Sequence, residues 1–164
     1  MEKVKLIPLT KGKFALVDAE DYDELIKYKW CVSLGYAVRT IWHPTEKRRE
    51  TISMHRQLLN GQYTKDKKYT DHINLNSLDN RKCNLRICTN SENMANSKRR
   101  QSAIKGVHWD DQRQKWVAQI CYRYKRCFLG RFTFLSDAII AYDTKAKELF
   151  GEFALLNFPG GGNP

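Results

Sequence analysis

At 164 residues the chain can form one ordinary domain or two small ones, and a hydrophobic content of 41% excludes the composition of a disordered protein. Lys and Arg number 29 against 18 acidic residues, a formal charge of +11, which points to a polyanionic partner: nucleic acid first, an anionic membrane surface second. No apolar run approaches the roughly 20 residues that cross a bilayer, and "MEKVKLIPLTKGK" lacks the apolar core of a signal peptide, so a soluble cytoplasmic protein without membrane attachment is expected. The five cysteines, Cys31, Cys83, Cys88, Cys121 and Cys127, form no CxxC pair. Their spacing argues against a disulfide framework and against structural zinc, and leaves most of them as small buried hydrophobes.

Residues 1–50 read as short β-structure. "KFALVDAEDY" is an apolar run closed by an acidic turn, and "KYKWCVSLGYAVRTIW" places aromatic and β-branched residues around Gly35. "WHPTEKRRE", with His43 beside Pro44, is a hairpin tip, and "ISMHRQLLNG" a short helix ended by Asn60-Gly61. From Tyr69 to Arg100 the chain is polar and asparagine-rich, with Thr89 or Ser91 as N-cap of a short helix over 90–97. "SKRRQS" is a basic linker, read either as solvated or as a phosphate contact. In the last sixty or so residues "GVHWDD" begins a strand, and "KWVAQICYRYKRCFLGRF" is two strands joined near Tyr124-Lys125. Alternation puts Trp116, Ala118, Ile120 and Tyr122 on one face and Val117, Gln119, Cys121 and Arg123 on the other. "SDAIIAYDTKAKELFG" is a helix with Ser136 as N-cap, Gly151 as stop, and an apolar stripe of Ala138, Ile139, Tyr142, Ala146 and Leu149.

Phosphodiester cleavage needs an activated water, stabilisation of charge on the pentacovalent phosphorus, and help for the leaving oxygen. A neutral histidine can take the water's proton, while one divalent cation serves the other two needs. Carboxylate and amide oxygens suit hard Mg²⁺ (or Mn²⁺), which keeps several waters and needs few protein ligands. Asp71, His72 and the asparagines after them are this inventory. The same residues also describe a solvated turn, and neighbours on a strand point to opposite faces unless the chain bends. His55 reads as a helix residue packed near this region, and Asn74 and Asn76 as ordinary loop residues.

"DHINLNSLDNRKCNLRICTNSENMAN", with "MHRQLLNG" upstream, resembles the HNH endonucleases of the ββα-metal type, and among them the homing-endonuclease branch. The resemblance implies that His72 is the general base, that Asp71 and Asn93 hold the metal, and that Asn84 braces the loop so that His72 faces the scissile phosphate. Asn80 and Asn96 match supporting positions. "KGVHWD", "KWVAQI", "FLGRF", "AIIAYD" and "ALLNFP" resemble the AP2 (ethylene-response-factor-like) DNA-binding domain, in which three strands lie in the major groove and one helix packs behind them. Carried over by position, the DNA face is Lys105, His108, Gln119, Cys121, Arg123, Arg126 and Phe128. Plant members usually have arginine where this chain has Lys105, His108 and Cys121, which puts their target sequence in doubt here, since arginine is the usual bidentate reader of guanine.

The expectation is therefore an α+β protein: a β-rich leader over 1–50, an HNH nuclease unit over 51–98, a basic linker over 99–102, an AP2-like three-stranded antiparallel sheet with one helix over 103–159, and a flexible tail over 160–164. Its function is hydrolysis of double-stranded DNA with a divalent metal and no small-molecule cofactor, in a bacterial host cell, with monomer or dimer left open. Lys98, Arg99 and Arg100 join the DNA-binding residues. The competing readings are an AP2-type transcription regulator with a non-catalytic HNH segment, and an RNA-binding protein using the same basic surface.

Overall fold

Short apolar stretches interrupted by turns build several small antiparallel sheets, because no stretch is long enough to extend one large sheet. The computed structural model describes residues 4–59, 69–97 and 104–159, and the architecture is α+β. It divides into two compact units, Met1–Cys88 and Thr89–Pro164, a boundary that falls inside the 51–98 segment.

In the first unit Val4–Pro8 (β1) and Phe14–Asp18 (β2) form an antiparallel hairpin that buries Ile7, Ala15 and Val17. The acidic stretch that follows is a helix, Ala19–Leu25 (α1), rather than the expected turn. Glu20 and Asp21 stand in its first turn, where carboxylates favour the helix dipole. Leu25 is its one buried residue, so no apolar periodicity announces it. Cys31–Ser33 (β3), Tyr36–His43 (β4) and Arg48–Ser53 (β5) make a 3-stranded sheet in that order, followed by Met54–Leu58 (α2). His43, expected in the hairpin tip, ends β4, with Nε2 2.8 Å from Glu50 Oε2. Met54, Trp30 and Ala37 join the hairpin residues in one core, and the Trp30 indole donates to the Leu25 carbonyl at 2.8 Å. Tyr69–His72 (β6) and Leu85–Cys88 (β7) pair antiparallel, setting Asp71 opposite Arg86 and His72 opposite Leu85.

The second unit opens with Asn90–Ala95 (α3). Thr89 caps it with a reciprocal capping box to Glu92, as Thr-x-x-Glu dictates. Val107–Asp110 (β8), Lys115–Tyr122 (β9) and Lys125–Phe132 (β10) form a 3-stranded antiparallel sheet with β9 central, and Leu135–Phe150 (α4) packs on one face. Ala118 and Ile120 meet Ala138, Ile139, Tyr142 and Ala146 in its core, as alternation and the helical stripe require. The β9–β10 turn falls on Arg123-Tyr124, both left-handed (φ 48 and 63). Ser136 is not the N-cap: α4 begins at Leu135, with Phe134 in the cap position and no side-chain cap bond. Asn157 staples the unit, its Oδ1 accepting from Lys105 N at 2.7 Å while its Nδ2 donates to Lys105 O and Asp143 Oδ1, each at 3.0 Å. Of the cysteines only Cys88 is buried; Cys83 and Cys121 are exposed.

Candidate active site and nucleic-acid interface

The loop between β6 and β7 is built by its own polar side chains. Asn74 Oδ1 accepts from Asn76 N (2.9 Å), and Asn76 Oδ1 accepts from Leu78 N (3.1 Å), two Asx-type turns in succession. These two residues therefore shape the loop instead of merely occupying it. Asn84, buried, spans it: Oδ1 accepts from Asn74 N (2.9 Å) and Nδ2 donates to Asp79 O (2.8 Å). Asp79 is buried against Arg81, whose Nε and Nη2 lie 2.7 and 2.6 Å from its two oxygens, and that pairing holds the carboxyl below its usual range. The leader fastens the loop from outside, with Leu16 N donating to Leu78 O and Asn80 N to Leu16 O, each at 2.8 Å. Lys82 N donates to Asp18 Oδ2 at 2.7 Å.

His72 is the last residue of β6, and the chain bends at once: Ile73 N donates to Asn84 O and Leu75 N to His72 O, both at 2.9 Å. Its buried imidazole carries Nε2 at 3.5 Å from Asn80 Oδ1. His55, on α2, sets its ring edge-on to His72 with centroids 5.1 Å apart, and Tyr36 lies 5.3 Å from His55 and 6.0 Å from His72. Burial lowers the His72 pKa, opposed by the Asn80 contact and by the charges of Asp71 and Asp79. Burial pushes His55 down to about 3, helped by His72 and Arg56, so both rings are neutral at pH 7. His55 Nδ1 and Asn80 Nδ2 are buried without a hydrogen-bond partner. Asp71, also buried, accepts at Oδ2 from Arg86 Nε (2.9 Å) and Nη2 (2.8 Å), its direct cross-strand neighbour.

Asp71, His72, Asn80 and Asn84 thus come together in the first unit. Asn93 is half-buried on α3 in the second unit, and Asn96 is buried at the end of that helix. Among the described residues no three His, Cys, Asp or Glu side chains group as a metal cage. Within the first unit the Asp71 carboxylate is an oxygen ligand of the kind that hard cations take. Tyr36, the Asp79–Arg81 pair and Arg86 escaped sequence reasoning. The one available signal was strand register, which sets Arg86 across from Asp71.

In the second unit, cross-strand register sorts the expected DNA-face residues. His108 pairs Val117, Arg126 pairs Cys121, Phe128 pairs Gln119 and Arg131 pairs Val117, all on the face away from α4. His108, Cys121, Arg126, Phe128 and Arg131 are exposed there, and Arg123 is exposed at the hairpin turn. Arg131 stacks over Phe128 at 5.0 Å, adding a further cation to this face. Trp116 takes the opposite, helix-side face, edge-on to Trp109 at 5.1 Å. Lys105 is committed elsewhere: its ammonium donates to the carbonyls of Met94 (3.2 Å), Ala95 and Ser97 (2.8 Å), closing the C-terminal end of α3. Lys98, Arg99 and Arg100 lie outside the described residues. Among the described residues no helix is long and apolar enough to cross a membrane.

A mixed α+β chain with a buried neutral histidine beside a carboxylate, and a separate basic sheet, is the setting for the comparisons with known proteins. An uncharacterised HNH endonuclease of Acanthamoeba polyphaga mimivirus is 30% identical over 147 residues, spanning 90% of this chain and 76% of that protein. The chain belongs to the HNH endonuclease family. Protein 3.8 of Escherichia phage T7 is 33% identical over 89 residues, 52% of this chain and 73% of its own length. A dehydration-responsive element-binding protein of Arabidopsis thaliana is 41% identical over 61 residues, 29% of this chain but only 25% of the plant protein. No protein-family model and no solved structure matches the chain.

Proposed function

We propose that the protein is a metal-dependent DNA endonuclease of the homing or mobile-element type, with His72 as general base. The observation that carries this reading is a buried, neutral His72 beside Asp71, at the mouth of a loop that Asn84 ties across at both Asn74 and Asp79. His72 takes the proton from the attacking water, and Asn80 Oδ1, 3.5 Å from its Nε2, orients the ring. The carboxylates of Asp71 and Asp79 then favour the imidazolium that results. Asp71 and Asn93 would hold Mg²⁺ or Mn²⁺, and Arg86 fixes the Asp71 carboxylate in orientation. When bound, the cation offsets charge on the phosphate and on the leaving oxygen.

The sheet of the second unit holds the duplex by its major groove, with His108, Gln119, Arg123, Arg126 and Phe128 toward the DNA and Lys98, Arg99 and Arg100 on phosphates. Tethering a weakly specific nuclease to a reader raises its effective concentration at the target. One such catalytic unit cuts one strand, so double-strand cleavage takes two chains or two events. The phage relative supports a bacterial host cell as the setting.

The identity to a plant element-binding protein supports a second reading, a DNA-binding regulator that does not cut. Sequencing the ends produced from a random duplex library with Mg²⁺ separates the two. A nuclease gives divalent-dependent ends clustered at preferred sequences, whereas a regulator retains DNA in a salt-sensitive manner and leaves it intact.

A further inference from the structure

The β3–β4 hairpin breaks two local rules at one residue. Its turn consists of Leu34 and Gly35, with Ser33 paired to Tyr36, and both turn residues are left-handed (φ 50 and 88). That geometry favours Asn-Gly or Gly-Gly; a leucine there is strained by its Cβ. Leu34 is also 96% exposed, the most exposed of the large hydrophobics among the described residues. A residue that suits neither the turn nor the solvent marks a position kept for something outside the fold.

The tip stands beside the candidate active site. Gly35 O accepts from Ser77 Oγ at 2.8 Å, fastening the turn to the loop that follows His72. Tyr36, the next residue, lays its ring against both His55 and His72. Ile73, directly after His72, is exposed as well, so apolar surface flanks the histidine on two sides. Bonded through Gly35 to the His72 loop and along β4 to β5, the hairpin holds Leu34 in place without burying it.

We propose that Leu34 is a wedge that enters the base stack of duplex DNA next to the phosphate presented to His72. Apolar side chains inserted at a base step unstack it, unwind the helix and open the backbone there. This rests on the nuclease reading, because only a phosphate at His72 brings base pairs to the hairpin tip.

The test uses the full chain on relaxed closed circular plasmid in EDTA, so that nothing is cut, with a metal-independent type I topoisomerase. After removal of protein, the change in linking number is read on a gel and divided by the protein bound. Leu34→Asn installs the residue the turn prefers and so folds at least as well; Leu34→Met retains an apolar wedge. Wild type and Leu34→Met lower the linking number, while Leu34→Asn binds as much plasmid and unwinds it about fivefold less or weaker still. Equal unwinding by Leu34→Asn overturns the proposal. So does a wild type that binds and, given Mg²⁺, cuts, yet leaves the linking number unchanged; the nuclease reading then stands without the wedge. A wild type that retains no plasmid overturns both.

Discussion

His55 offers a quantitative test of how the first unit is packed around His72. Its ring is buried and its pKa falls from 6.5 to about 3 on folding. Between those values the unfolded chain binds a proton that the folded chain refuses, so stability is complete above pH 6.5 and declines as pH falls toward 3. From this group alone the loss is about 1 kcal/mol at pH 5.5 and about 3 kcal/mol at pH 4.5, relative to pH 8. The depressed pKa of His72 adds a loss of the same sign. The assay is urea unfolding of the full chain at these pH values, comparing wild type with His55→Phe. The variant keeps an aromatic ring, removes the titrating nitrogen, and eliminates the partnerless Nδ1, so at pH 8 it is as stable as wild type. Its stability then falls less steeply with acid, and the gap between the two curves widens by the amounts above. Parallel curves would refute the reasoning, since His55 would then be solvated enough to protonate in the folded chain.

Asn84→Ala strands Asp79 O and Asn74 N inside the loop and lowers stability by about 2–4 kcal/mol, read as a lower urea midpoint at unchanged slope. Gly106→Ala puts a Cβ 2.0 Å from the Tyr142 ring and 2.8 Å from Gln119 O at φ +75, and costs about 3 kcal/mol in thermal unfolding. Arg126→Ala removes an exposed cation from the open sheet face and reduces the slope of log affinity against log salt by about 1 in duplex-DNA binding.

What the sequence disclosed is local. Alternation in "KWVAQICY" assigned both faces of β9, and Ala138, Ile139, Tyr142 and Ala146 recur at helical spacing, because burial on one side leaves a periodic trace. Thr89, one of the two caps that the sequence offered, starts α3, where it forms a capping box with Glu92. α1 stayed hidden because a single buried leucine makes no stripe, and α4 begins a residue before Ser136 on a cap that carries no signature. The leader, which offered no site by its own residues, supplies Leu16 and Asp18 to hold the candidate loop and Tyr36 to pack on its histidine. Such pairings join residues 36 to 64 positions apart, and nothing in either partner's neighbourhood encodes the other. Lys105 is the reverse case: position implied DNA, while the nearby carbonyls of α3 claim its ammonium.

The most direct test of the central claim is nicking of supercoiled plasmid by the purified full chain with Mg²⁺, wild type against His72→Ala. Loss of the general base should slow nicking by about 10²–10⁴-fold while duplex binding persists. Nicking at the wild-type rate by His72→Ala would contradict the account.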